Sequence, residues 1–206
     1  MTESPPGIAK HPPGAPISSH SRTFFRRLAR LASRALLHLS VTGIENVPLS
    51  GGVLLAMNHL GGADVAVVVG FAPRPLEAIG KSEIMNWPVL GRLAQAYGMI
   101  PVRRGEPDRE TLTAALAVLQ VGGALLIAPE GRESLTGALE AAKGGAAFLA
   151  VQAQAPIVPI AITGTAWANV LAHWRRLRRP RVTLAFGPPF TLPPEARRHE
   201  AADLIM

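Results

Sequence analysis

Short apolar runs of strand length alternate along this chain with helix-length segments, and glycine or proline punctuates most of the changes. That alternation constrains the fold more than any other feature. Strands separated by helices lie side by side in one sheet, with the helices covering its faces. Strands are predicted over residues 41–47 and 52–57, joined by the turn Pro48-Leu49-Ser50-Gly51, and then over 76–80, 99–102, 124–128, 157–162 and 181–186. Helices are predicted over 64–72, 88–96 and 145–154. A further one runs from the capping residue Asp108 to Leu119, ahead of Gly122-Gly123. Another opens at Pro193 and leads to the end of the chain. The expected class is α/β, a single domain with a mixed central sheet flanked by helices.

The 206 residues suffice for one such domain with a substantial core. There is no cysteine, which excludes a disulfide framework and a thiolate nucleophile and fits a reducing compartment. Hydrophobic residues make up 48% and mean hydropathy is +0.23, yet no apolar run approaches the ~20 residues that cross a bilayer. Residues 1–20 are rich in proline, serine and glycine and read as a disordered tail rather than a signal peptide.

The net charge is +7, and its placement matters more than its sum. Residues 1–40 hold Lys10, Arg22, Arg26, Arg27, Arg30 and Arg34 against Glu3. Residues 173–181 hold Arg175, Arg176, Arg178, Arg179 and Arg181 with no acid. The rest of the chain is therefore mildly acidic. Two basic patches of this kind suit an anionic membrane surface, an acidic carrier protein or nucleic acid.

The first patch lies on an amphipathic helix predicted over 22–39, within a 21–40 segment that precedes the main domain at 41–206. At 100° per residue, Phe24, Phe25, Leu28, Leu31, Ala32, Ala35, Leu36 and Leu39 share one arc, with the arginines opposite and Leu37 as the exception. Two readings follow: a helix lying in a membrane interface, or an ordinary helix docked on the core. The second patch, His173-Trp174-Arg175-Arg176-Leu177-Arg178-Arg179, suits anionic lipid headgroups, an acyl carrier, or simply water. Nucleic acid fits it poorly, since only Trp174 interleaves the cations.

Two polar clusters stand where predicted strands end. In Asn58-His59-Leu60-Gly61-Gly62-Ala63-Asp64 the two glycines let the chain turn, so that the carboxylate can reach back to the imidazole. An aspartate on one ring nitrogen fixes the tautomer and leaves the other nitrogen as a base. On spacing alone, the pair reads more readily as a loop histidine followed by a helix cap. Glu130-Gly131-Arg132 follows the strand at 124–128 and offers a glycine beside a cation, a small anion site. Arg103 and Arg104 would lie at the same sheet edge if both strands are parallel, where open α/β sheets bind ligands, and Lys143 would add a cation ahead of a helix N-terminus.

Taken in order, these pieces resemble the glycerophospholipid acyltransferase family. The first block of that family, Asn-His-x4-Asp, is matched by Asn58 to Asp64. The second is matched by Gly98-Met99-Ile100-Pro101-Val102-Arg103-Arg104, with Arg103 where the family has aspartate. The third is matched by Ala128-Pro129-Glu130-Gly131-Arg132-Glu133-Ser134, where Arg132 replaces threonine and Glu133 replaces arginine. Lys143-Gly144-Gly145 and Val158-Pro159-Ile160 follow.

The resemblance implies the α/β acyltransferase fold, with the N-terminal amphipathic helix beside it, and O-acyl transfer to a (lyso)glycerophospholipid hydroxyl such as that of 1-acyl-glycerol-3-phosphate. His59 would be the general base and Asp64 its orienting partner. Asn58, Arg103, Arg104, Glu130, Gly131, Arg132 and Lys143 would contact substrate. The donor would be acyl-CoA or acyl-carrier protein, with no cofactor and no metal. The enzyme would sit peripherally on the inner face of the cell membrane, without a nucleic-acid partner. The rival expectation is a non-catalytic lipid-surface binder, suggested by the altered third block.

Overall fold

The computed structural model describes residues 19–103, 108–193, 195, 202, 204 and 205. Of the tail predicted over 1–20, residues 1–18 lie outside the described residues and the last two open the first helix; most of the helix expected beyond Pro193 also lies outside them. The elements in chain order are α1 (Ser19–Leu36), β1 (His38–Thr42), β2 (Val53–Met57), α2 (Ala63–Phe71), β3 (Glu77–Lys81), α3 (Leu90–Tyr97) and β4 (Ile100–Val102). They continue with α4 (Arg109–Gln120), β5 (Ala124–Ile127), α5 (Gly144–Ala153), β6 (Ile157–Thr163), α6 (Trp167–Trp174) and β7 (Arg181–Phe186).

The seven strands form one sheet in the order β1-β7-β6-β2-β5-β3-β4. All neighbours run parallel except β6 and β7, so the sheet is mixed as expected. The central strand β2 is buried along its whole length. Its alternate residues feed two cores, as the period of a strand requires. Val53, Leu55 and Met57 face α2, with Leu126, Val158 and Ile160 from the neighbouring strands. Leu54 and Ala56 face α4 and α5, with Leu125 and Ile157 beside them. Helix α4 begins as predicted, with the Asp108 carboxylate accepting from the Thr111 amide at 2.9 Å.

Three local expectations need correction. The N-terminal helix stops at Leu36, and β1 takes 38–42 instead of 41–47, so Leu39 belongs to a strand. The chain then turns at Gly43 into a short 3-10 segment, Ile44–Asn46. Residues 167–174 form α6, which no periodicity in the sequence sets apart from the basic segment. A two-turn helix is too short to show a clear period.

The docking of α1 is the largest surprise. Arg22, Arg26 and Arg30 turn toward the protein beside Phe25, while Arg27 is exposed. Arg26 donates to the Ala72 carbonyl, Arg30 Nε to the Gly70 carbonyl at 2.7 Å, and Arg22 pairs with Glu77. Arg30 and Arg34 also lie over the Phe71 ring. The free carbonyls at the C-terminal end of α2 are thus capped by cations of α1. Leu37, the exception in the arc, is the leucine that is buried. Much of the apolar arc faces outward, with Phe24 62% and Leu31 68% exposed.

Candidate active site

Strands β2, β5 and β6 run parallel, so their C-terminal ends share one edge of the sheet. His59 lies just beyond β2, Glu130 just beyond β5, and Thr165 just beyond β6. This is the edge at which open α/β sheets hold their ligands.

Asp64 sits in the first turn of α2 and is fully buried. Its Oδ2 accepts from the Leu60 amide at 2.6 Å, from the Gly61 amide at 2.9 Å and from His59 Nδ1 at 3.0 Å. An oxygen that takes two backbone protons is held as an acceptor, so the proton between it and the imidazole resides on Nδ1. Nε2 is left with its lone pair free. The turn is compact because Gly61 and Gly62 carry no side chain. A Cβ on Gly61 would come 2.7 Å from the Thr165 carbonyl oxygen, and one on Gly62 would come 2.9 Å from the Trp167 ring. The start of α6 therefore closes over the turn.

The third block locks onto the first. Glu130 is buried, and its two oxygens accept from the His59 amide and the Glu140 amide, each at 3.2 Å. The Ser134 amide donates to the His59 carbonyl at 2.7 Å. His59 is thus gripped through its backbone on both sides and through its ring by Asp64. Asn58 adds a fourth tie. Its side-chain amide donates to the Ile162 carbonyl at 2.9 Å and accepts from the Ile162 amide at 2.7 Å, pinning the turn to β6. Hydrogen bonds to a charged acceptor contribute about 1.5–3 kcal/mol each. The carboxylates of Asp64 and Glu130 therefore fix the turn strongly.

The remaining residues predicted to meet substrate are dispersed. Gly131 has φ 73°, and a Cβ there would come 3.0 Å from Lys143 Nζ, so the lysine lies directly over the glycine. Arg132 is exposed and paired with Glu140, Nε and a terminal nitrogen each 2.8 Å from the same oxygen. Arg103 directly follows β4, the edge strand, which β5 and β3 separate from β2. Arg104 lies outside the described residues. Two residues absent from the predicted set touch the dyad region. Glu133 brings Oε1 to 4.0 Å from His59 Nε2, and Trp167 packs on the glycine turn. Glu133 had a sequence signal, an acid where the resembling family carries arginine; Trp167 had none.

The mixed sheet, with a histidine hydrogen-bonded to a buried aspartate at the C-terminal ends of its central strands, defines the class: an α/β protein with a polar site at its sheet edge. Residues 38–163 match the sequence profile described as acyltransferase, and the chain belongs to this family, the glycerophospholipid acyltransferases. It is 31% identical over 139 residues to the 1-acyl-sn-glycerol-3-phosphate acyltransferase of Cocos nucifera, covering 64% of this chain and 44% of that one. It is 31% identical over 154 residues to the lyso-ornithine lipid O-acyltransferase of Pseudomonas aeruginosa, covering 73% of this chain and 57% of that one. Its fold superposes on the crystal structure of the 1-acyl-sn-glycerophosphate acyltransferase PlsC of Thermotoga maritima with a TM-score of 0.69. That match has 21% identity and covers 89% of this chain and 76% of that one. The chain spans about half the length of several curated relatives it matches.

Proposed function

We propose that this chain transfers a fatty acyl group from a thioester donor, acyl-CoA or acyl-carrier protein, to the hydroxyl of a lysolipid, with His59 as general base. The observation that carries the reading is the ring of His59. Nδ1 is held by a buried carboxylate, while Nε2 points toward the exposed third-block loop. The acceptor oxygen bonds to the thioester carbonyl carbon as its proton passes to Nε2. The tetrahedral adduct then expels the thiolate, which leaves with that proton, and Asp64 stabilises the imidazolium in between. The relatives named above act on 1-acyl-glycerol-3-phosphate or on lyso-ornithine lipid, so the acceptor here is a lysolipid of that general kind.

The reading is tested by thiol release from palmitoyl-CoA, with and without a lysolipid acceptor, for wild type and His59→Ala. Acceptor-dependent release that falls by about 10²–10⁴-fold in the variant supports it. Equal release from both proteins refutes the role of His59. Release that ignores the acceptor points to a thioesterase instead.

The enzyme works, we propose, peripherally on the anionic inner face of the cell membrane. No described helix is long and apolar enough to cross a bilayer. Support comes from the outward apolar side of α1, with exposed Phe24, Leu28, Leu31 and Leu36, and from exposed Trp167, Leu171 and Trp174 on α6. The two helices meet where Trp174 Nε1 donates to the Leu36 carbonyl at 3.4 Å. Exposed Arg175, Arg176 and Arg178 lie beside this surface and suit anionic headgroups. Replacing Phe24, Leu28 and Leu31 together by serine leaves the arginine contacts to α2 in place. It should abolish co-sedimentation with anionic vesicles without lowering Tm; retained binding would refute the surface.

A further inference from the structure

Within the acyltransferase reading above, on which this step rests, the charges around His59 specify the acceptor. A hydroxyl that gives its proton to Nε2 must lie about 3 Å from that nitrogen. Glu133 Oε1 is already 4.0 Å from Nε2, so the carboxylate borders the space the acceptor enters. A phosphomonoester on the carbon next to the one bearing the reacting hydroxyl would bring a dianion close to this carboxylate. Of the two nearby cations, Arg132 is engaged elsewhere. Arg132 is held by Glu140, and Glu140 is itself fixed by accepting from the Leu135 amide at 3.2 Å. Lys143, whose Nζ lies over Gly131, makes no ion pair among the described residues. The loop therefore presents one negative group beside the base and one positive group over Gly131, two residues before it in sequence.

We propose that the acceptor is a zwitterionic lysolipid whose headgroup carries an ammonium on a flexible arm, and that Glu133 is the residue that selects it. The ammonium donates to Glu133, which holds the carboxylate clear of Nε2 and leaves that nitrogen to the hydroxyl. The anionic part of the headgroup meets Lys143. Glu133 binds the headgroup and takes no part in the proton transfer.

The test uses the full chain, palmitoyl-CoA and two acceptors of equal chain length, 1-acyl-glycerol-3-phosphate and an N-(3-hydroxyacyl)ornithine. The wild type is expected to favour the ammonium acceptor in kcat/KM by about tenfold, the worth of one charge-assisted contact. Glu133→Gln, a change of charge at a side chain 42% exposed, should erase that preference through the KM of the ammonium acceptor. Its kcat with either acceptor should stay near wild type. Glu133→Arg should move the preference toward the phosphate acceptor. The proposal is overturned if the wild type favours the phosphomonoester or uses neither acceptor. It also falls if Glu133→Gln changes both acceptors equally, as a merely structural residue would. The general-base reading fails separately, if His59→Ala retains turnover of whichever acceptor the wild type uses.

Discussion

The turn that holds His59 and the loop that faces it are built by opposite means. In the turn, Asp64 and Glu130 are buried and act on backbone amides, three donors converging on the imidazole side of one and two on the other, with the ring among them. In the loop, Arg132 and Glu140 hold each other at the surface, and Ser134 bonds to the Ala138 carbonyl at 2.6 Å. Buried carboxylates on fixed amides leave a side chain one geometry. Exposed ion pairs are screened and hold weakly. On the reading proposed above, the contrast makes base geometry and acceptor recognition separable. The chemistry would be set in the core of the sheet edge, and headgroup preference by side chains that can change without disturbing it.

The sharpest way to break that division is Asp64→Asn. An asparagine oxygen can still accept from the Leu60 and Gly61 amides and from Nδ1, but the negative charge that stabilises an imidazolium is gone. Activity should fall about a hundredfold or more, while the fold survives with a loss of about 1–3 kcal/mol. Thiol-release kinetics and thermal melts on the same preparation give both numbers. Activity within a few-fold of wild type would mean that the dyad is a structural cap, the bland reading of its spacing.

Glu130→Gln probes the brace between the two regions. The glutamine presents an NH2 to one of two backbone donors, so one bond becomes a repulsion. Stability should drop by about 1–3 kcal/mol, and activity should fall less than in the Asp64 variant, because the imidazole keeps its carboxylate. A variant as stable as wild type but inactive would instead place Glu130 on the substrate, as the sequence suggested.

Those roles explain what the sequence could and could not disclose. Asn58, His59, Asp64 and Glu130 were visible as residue types at strand ends, and the strand pattern placed those ends on one edge. What Asn58 and Glu130 do was hidden, because their partners lie 104 and 71 positions away in the chain. Composition near a residue says nothing about an amide that arrives from another strand. The arc of α1 was legible as well, down to the exceptional Leu37. Which side of it faces the protein was not, since periodicity separates two faces without saying which one docks. Here the carbonyls at the end of α2 decide it, by drawing in Arg26 and Arg30. Likewise Arg132 was readable as a cation near the site, but Glu140, eight residues on, was needed to see it engaged.

The smallest expected effect concerns Glu140 and sharpens the comparison most finely. Its carboxyl is held below the usual glutamate range, first by the Leu135 backbone amide and next by Arg132. A depressed carboxylate contributes order above the ordinary value of about 4.3, and that order is lost as pH falls through the lowered value. Acidification should therefore loosen the Leu135 amide while the Leu60 amide, buried against Asp64, keeps its protection. Hydrogen exchange referenced to intrinsic rates reads both amides in one experiment. Glu140→Gln should leave Leu135 weakly protected at every pH, with Tm unchanged. It should also free Arg132 and improve turnover of a phosphate-bearing acceptor by a few-fold, in the direction of Glu133→Arg. Parallel loss of protection at Leu60 and Leu135 would show the turn and the loop to be one cooperative unit. Headgroup preference could not then change without cost to the base.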